Sequence, residues 1–129
     1  MDALHLDTHI FVWLHEFGTS KALPARVRKR VSSSKRLVIS PVVLLEAQFL
    51  VDIGRVQVSP DTMLANIQKG LPLTLATHPF ADVVRGATSL SWTRDPFDRM
   101  IVAQALVDGR APLLTKDRMI REHYEGAVW

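Results

Sequence analysis

The 129-residue chain has no cysteine, which excludes a disulfide framework and any thiolate zinc site and suits a reducing, cytoplasmic setting. No apolar run is long enough to span a bilayer. The N-terminal stretch is apolar but is broken by Asp2, His5, Asp7 and His9. It also lacks the basic start and small-residue cleavage site of a signal peptide. No glycine-rich loop follows the first apolar segment, which argues against a nucleotide-binding α/β domain. The histidines His5, His9, His15, His78 and His123 show no spacing of the H-E-x-x-H kind and read as structural. Acidic residues are missing between Glu16 and Glu46, where Lys21, Arg26, Arg28, Lys29, Arg30, Lys35 and Arg36 all fall. That segment suits contact with phosphates or an acidic partner, and equally a solvated basic helix and loop.

What is present is ordinary for one globular domain over residues 1–129, with 47% hydrophobic and 22% charged residues and a net charge of +3. Apolar runs bounded by turn signals predict strands at Leu4–Leu6, Leu37–Ser40, Leu73–Ala76, Pro112–Thr115 and Ala127–Trp129. Helices fall between them. The first opens near Thr8. Ser40-Pro41 and Ser59-Pro60 pair a hydroxyl cap with proline at the first helical position, and these helices stop at Gly54 and Gly70. Asp95-Pro96 opens another that ends at Gly109, and Arg118–His123 forms a short one. Alternating strands and helices predict an α/β fold with a mainly parallel sheet, whose ligands gather beyond the carboxyl ends of the strands.

Four acids stand out against this frame. Asp7 ends the first strand and, from position alone, reads as a helix cap. Glu46 has Val42, Val43, Phe49 and Leu50 as its helical neighbours, so it is expected on the buried stripe. A buried carboxylate protonates, pairs with an arginine or binds metal. Asp98 fits the first turn of its helix as a dipole-stabilising acid, yet Ile101, Val102 and Ala105 continue its face inward. Asp95 has the stronger claim to pure capping. Asp117 follows a strand end that also carries Thr115 and Lys116, and alone it too reads as a cap. Together these placements predict several carboxylates at one rim of the sheet. Crowded carboxylates stay ionised only beside a cation, and oxygen ligands without thiolate favour Mg²⁺ or Mn²⁺.

The chain closely resembles the PIN-domain ribonucleases, and among them the VapC-like toxins. The matching pieces are Leu6-Asp7-Thr8-His9, Ser40 with Glu46, and Gly54-Arg55-Val56. The most specific piece is Arg94-Asp95-Pro96-Phe97-Asp98-Arg99, continued by Ile101-Val102-Ala103-Gln104-Ala105; Leu114-Thr115-Lys116-Asp117 completes the set. The resemblance implies a three-layer α/β/α sandwich and a metal site of Asp7, Glu46, Asp98 and Asp117, supported by Thr8 and Thr115. It further implies RNA cleavage, a homodimer and inhibition by a cognate antitoxin. Arg94, Arg99, Lys116 and Arg118 are candidates for phosphate contact, with an acid as the competing partner for Arg99. Two positions depart from many relatives: Leu45 stands where tryptophan is common, and Thr93 where histidine is common. Neither is a metal ligand in the family pattern, so the departures bear on RNA selectivity and antitoxin fit.

The same residues bear on readings from other classes. A phosphoacceptor domain needs an aspartate at the end of a middle strand, and Val38-Ile39-Ser40 offers none. A housekeeping RNA-processing nuclease of the same fold, or a silent RNA-binding module, stands as the alternative to a toxin.

Overall fold

The computed structural model describes residues 3–18 and 21–129. In chain order these residues form β1 (Ala3–Leu6), α1 (Thr8–Phe17), α2 (Ala25–Ser33), β2 (Arg36–Ile39), α3 (Pro41–Asp52) and α4 (Pro60–Gln68). They continue as β3 (Leu73–Leu75), α5 (Phe80–Thr88), α6 (Pro96–Val107), β4 (Leu113–Leu114), α7 (Arg118–His123) and β5 (Ala127–Val128). The strands line up in the order β3-β2-β1-β4-β5. Every pairing is parallel, so the expected mainly parallel sheet is parallel throughout.

All four β1 residues are buried, as a central parallel strand covered on both faces requires. Leu4 and Leu6 join Leu37, Ile39, Phe11 and Met63 in the main core. His5, between them, must project from the opposite face. There its Nε2 lies 2.8 Å from Oδ2 of Asp108, just past α6. His78 Nε2 lies 3.4 Å from the other Asp108 oxygen, and its Nδ1 meets Gln104 Nε2 at 3.1 Å. Burial pushes the His5 pKa down, while the bond from His5 holds Asp108 below the ordinary carboxylate value. Val83 and Ala87 of α5 pack on Ala103 of α6 in a smaller cluster. Helices therefore cover both faces, giving the three-layer α/β/α arrangement.

The cap signals fall where the chemistry demands. Ser40 Oγ accepts from Val42 N at 3.3 Å to open α3, and Ser59 Oγ accepts from Thr62 N at 3.3 Å to open α4. Gly54 and Gly109 follow their helices with φ of 81° and 63°, a left-handed turn that glycine adopts without a Cβ penalty. By contrast, α2 and α5 begin after Pro24 and Pro79 with no side-chain cap. The strands β4 and β5 contain two residues each, shorter than the sequence predicts. No helix among the described residues is long and apolar enough to cross a membrane.

Candidate active site

Strand β1 pairs with β2 on one side and with β4 on the other, so the strand order reverses between β1 and β4. A crevice at the carboxyl ends of such a pair is where open α/β sheets bind ligands. Asp7 follows β1 and Thr115 follows β4, on opposite sides of that crevice.

Asp7 is only 4% exposed. It caps α1 and belongs to the crevice at once. Its Oδ1 accepts from Thr8 N at 2.7 Å, and its Oδ2 accepts from the Thr115 hydroxyl at 2.6 Å. Burial pushes its pKa up; the Thr115 and Thr8 hydrogen bonds pull the other way, and Asp117 adds repulsion. Thr115 Oγ1 also accepts from Asp117 N at 3.0 Å, so one fully buried hydroxyl sets two of the acids. Asp117 caps α7, where its Oδ1 accepts from Ile120 N at 2.9 Å.

Glu46 is half-buried on α3. Burial raises its pKa, Thr8 lowers it, and Asp7 and Asp95 raise it further. Thr8 Oγ1 is buried without a hydrogen-bond partner, so it acts on Glu46 from nearby without closing a bond. The expected buried stripe of Glu46 is only partly realised. Phe49 is 51% exposed, because α3 is apolar on nearly every side and Glu46 neighbours an outward apolar row as well as the core.

Asp98, in the first turn of α6, is pushed up to about 7, first by burial and then by Asp95, Asp7, Asp117 and Glu46. The four sequence-expected acids therefore act on one another across the crevice. Among the described residues no lysine or arginine forms an ion pair with any of them. The arginine partner considered for Glu46 is absent from that set.

Three residues not expected at the site also border it or bear on its charge. Asp95 caps α6, accepting from Phe97 N at 2.8 Å and Asp98 N at 3.3 Å, yet its charge also bears on Glu46 and Asp98. Its three-residue offset from Asp98 on one turn was the available signal. His9 is exposed and lines a groove of about 320 Å³ with Asp7, Trp13, Lys116 and Asp117. Its charge pulls the Asp7 and Glu46 pKa values down. Trp13 is the third, half-buried between that groove and the core.

The basic candidates separate. Lys116 lines the groove. Arg94 is exposed. Arg118 Nε bonds Glu122 at 2.8 Å on the surface. Arg99 bonds backbone carbonyls and not an acid: its Nε donates to Thr93 O at 2.7 Å and its Nη1 to Thr88 O at 3.5 Å. Its guanidinium thereby pins the turn between α5 and α6. Of the remaining histidines, His15 meets Asn66 at 3.3 Å, and His123 stacks on Trp92 at 5.0 Å between centroids.

An acid-lined crevice at the centre of a parallel β3-β2-β1-β4-β5 sheet defines a class, and the comparison of sequence agrees with it. Residues 4–126 match the PIN domain, and the chain belongs to that family. The fold is similar to a toxin–antitoxin complex from Klebsiella pneumoniae, with a TM-score of 0.63, 16% identity, and 98% of this chain covering 96% of that one. It is also similar to VapBC2 from Rickettsia felis bound to a DNA fragment from its promoter, with a TM-score of 0.62, 16% identity and the same coverage. At that identity the likeness is one of fold. No curated protein matches the chain in sequence.

Nucleases of this family generally use divalent ions. Here the donors are carboxylate oxygens with no cationic partner among the described residues, joined by the unpartnered Thr8 hydroxyl. Among those residues no three Asp, Glu or His side chains close into a formed metal cage. The donor chemistry fits a hard cation, and the acids share one field without yet converging on a point.

Proposed function

We propose that this protein is a divalent-metal-dependent endoribonuclease and the toxin half of a toxin–antitoxin pair. The observation that carries the reading is the set of coupled carboxylates at the crevice of a PIN-family sheet, with Asp98 held near pH 7. Carboxylates crowded at a substrate crevice with no ion-paired lysine or arginine are suited to a bound cation. Asp7, Asp98 and Asp117 would hold Mg²⁺ or Mn²⁺, with Glu46 as a direct or water-mediated further ligand. When bound, such an ion activates water for in-line attack on a phosphodiester and offsets charge on the phosphate.

The chain supplies the positioning. Thr115 holds Asp7 and the backbone of Asp117 in fixed relation. Lys116, beside them in the groove, serves as a phosphate contact, and exposed Arg94 and the basic helix α2 extend that surface. Arg99 and Arg118, already bonded within the chain, are secondary contacts. The products are a 5′-phosphate and a 3′-hydroxyl.

Two protein partners belong to the reading. The fold neighbours are toxin–antitoxin complexes, which supports an antitoxin partner for this chain. A second copy pairs through the outward face of α3 and its C-terminal cap, where Leu45, Phe49 and Ile53 are 61%, 51% and 49% exposed. Phe80 and Val84 of α5 are exposed apolar residues too.

The test is direct. Asp7→Asn and Asp98→Asn should keep the fold and lose Mn²⁺-dependent cleavage of RNA. Full activity in either variant, or of the wild type in excess chelator, would remove the proposal. Induced expression should arrest growth; cleavage without arrest would favour a housekeeping nuclease.

A further inference from the structure

We infer that Trp13 is the stacking platform for one unpaired RNA base beside the cut phosphate, with Lys116 over its ring and Arg26 over the neighbouring Trp129 as phosphate contacts. This rests on the nuclease reading of the acidic crevice and deepens it by naming how substrate is gripped.

Four elements bring the pieces together. Trp13 lies on α1, less than two turns beyond Asp7, Trp129 follows β5, Arg26 lies on α2 and Lys116 follows β4. The two indole centroids are 6.2 Å apart and tilted by 57°, so the rings form an angled wall and not a closed stack. The Arg26 guanidinium carbon stands 5.1 Å from the Trp129 centroid, and Lys116 Nζ stands 5.7 Å from the Trp13 centroid. Trp13 and Lys116 line the same groove as Asp7 and Asp117.

A partly exposed tryptophan is ordinarily core packing, and part of Trp13 does pack on the core. Packing accounts for neither its frontage on the acidic groove nor the cation over its face. A nucleotide uses both features at once, since each base offers a π face and each link carries a phosphate. Lys116 holds the ring face in the free protein. A solvated ammonium–ring contact is weaker than base stacking, so an incoming base displaces it, and the ammonium swings to the adjoining phosphate. Stacking tolerates any base identity but requires an unpaired base. The platform therefore selects single strands and loops over duplex.

The experiment uses a short end-labelled single-stranded RNA that the wild-type protein cuts with Mn²⁺. Removing one base at a time from the RNA, leaving an abasic sugar, should raise KM by about tenfold at a single position next to the cut and little elsewhere. Trp13→Leu should raise KM for the intact RNA by a similar factor with kcat nearly held, and should be indifferent to that abasic position. Trp13→Phe should restore most of the loss. The abasic series needs no altered protein, so misfolding of the Trp13→Leu variant leaves the question decidable. Intact RNA cut well while every abasic position is tolerated would overturn this inference and leave the nuclease reading standing. Failure of the wild type to bind or cut any RNA with Mg²⁺ or Mn²⁺ would overturn both. Trp13→Leu that loses only antitoxin inhibition assigns the ring to a protein partner and overturns the inference.

Discussion

The Thr115 hydroxyl donates a 2.6 Å hydrogen bond to Oδ2 of Asp7, joining residues 108 positions apart across the crevice between β4 and β1. Both groups are buried, so solvent cannot replace the bond. Thr115→Val keeps the shape and removes the donor. It should destabilise the fold by about 1–3 kcal/mol, read from the urea midpoint. It should also lower RNA cleavage at neutral pH and move the rate profile to higher pH, because Asp7 loses a bond that pulls its pKa down. Thr115→Ser should recover most of both. An unchanged profile for the valine variant would mean that Asp7 is set by something else.

Asp98 ties stability to pH in an unusual direction. In the folded chain it titrates near pH 7, against an ordinary 3.8. Between those values the folded state binds more protons than the unfolded one, so stability falls as pH rises from about 4 to 7. Asp7 and Glu46, both raised, act with the same sign. His5, lowered from 6.5, acts with the opposite sign, so the Asp98 share is read as a difference between proteins. In chelator, the wild type should lose melting temperature relative to Asp98→Asn between about pH 4 and pH 7, and Mn²⁺ should abolish the gap. Parallel melting curves with and without Mn²⁺ would refute it.

Asp108 serves the opposite face of the sheet. Asp108→Ala leaves buried His5 without its acceptor and should cost about 1–3 kcal/mol, measured by chemical denaturation. RNA cleavage per folded molecule should not change. The pKa of Asp108 is lowered, so its contribution is complete above pH 4 and fades as acid protonates it. A cleavage rate reduced tenfold or more would show that the cluster reaches the crevice.

The outward row on α3 invites a mass measurement. Phe49→Glu places a charge in an apolar contact and should convert a dimer to a monomer in light scattering, with the monomer's circular dichroism unchanged. Its half-exposed position means the fold itself loses little. A wild type that runs as a monomer at all concentrations would dispose of the pairing.

Much of this was readable from residue order because local chemistry and global fold agree at the caps. Ser40-Pro41, Ser59-Pro60 and Asp95-Pro96 each combine an acceptor side chain with a ring that cannot donate, and each opens a helix. Helices α2 and α5 left no such mark, since Pro24 and Pro79 precede them without an acceptor. The inward face of α3 was equally hard to pick, because Leu45, Phe49 and Ile53 make its outer side as apolar as its inner one. Among the acids, position alone suggested caps for Asp7 and Asp117, and the structure retains those caps while bringing the residues to the crevice. A carboxylate has about four lone-pair sites and a cap bond uses one of them, so a cap assignment does not exclude a second role. Trp13 carries no spacing signal, and only the approach of the segments after β4 and β5 brings Lys116 and Trp129 against it; His9, read as structural, lines the groove beside it.

The place of β1 in the middle of the sheet has a bearing on synthesis. A chain still on the ribosome that has delivered Asp7, Glu46 and Asp98 has not yet produced β4 and the Thr115–Asp117 turn that follows it. Parallel strands so distant in sequence dock late, after their loop entropy has been overcome. Under the nuclease reading the growing polypeptide is thus unarmed beside the RNA that encodes it. Danger begins only when β4 slides in against β1.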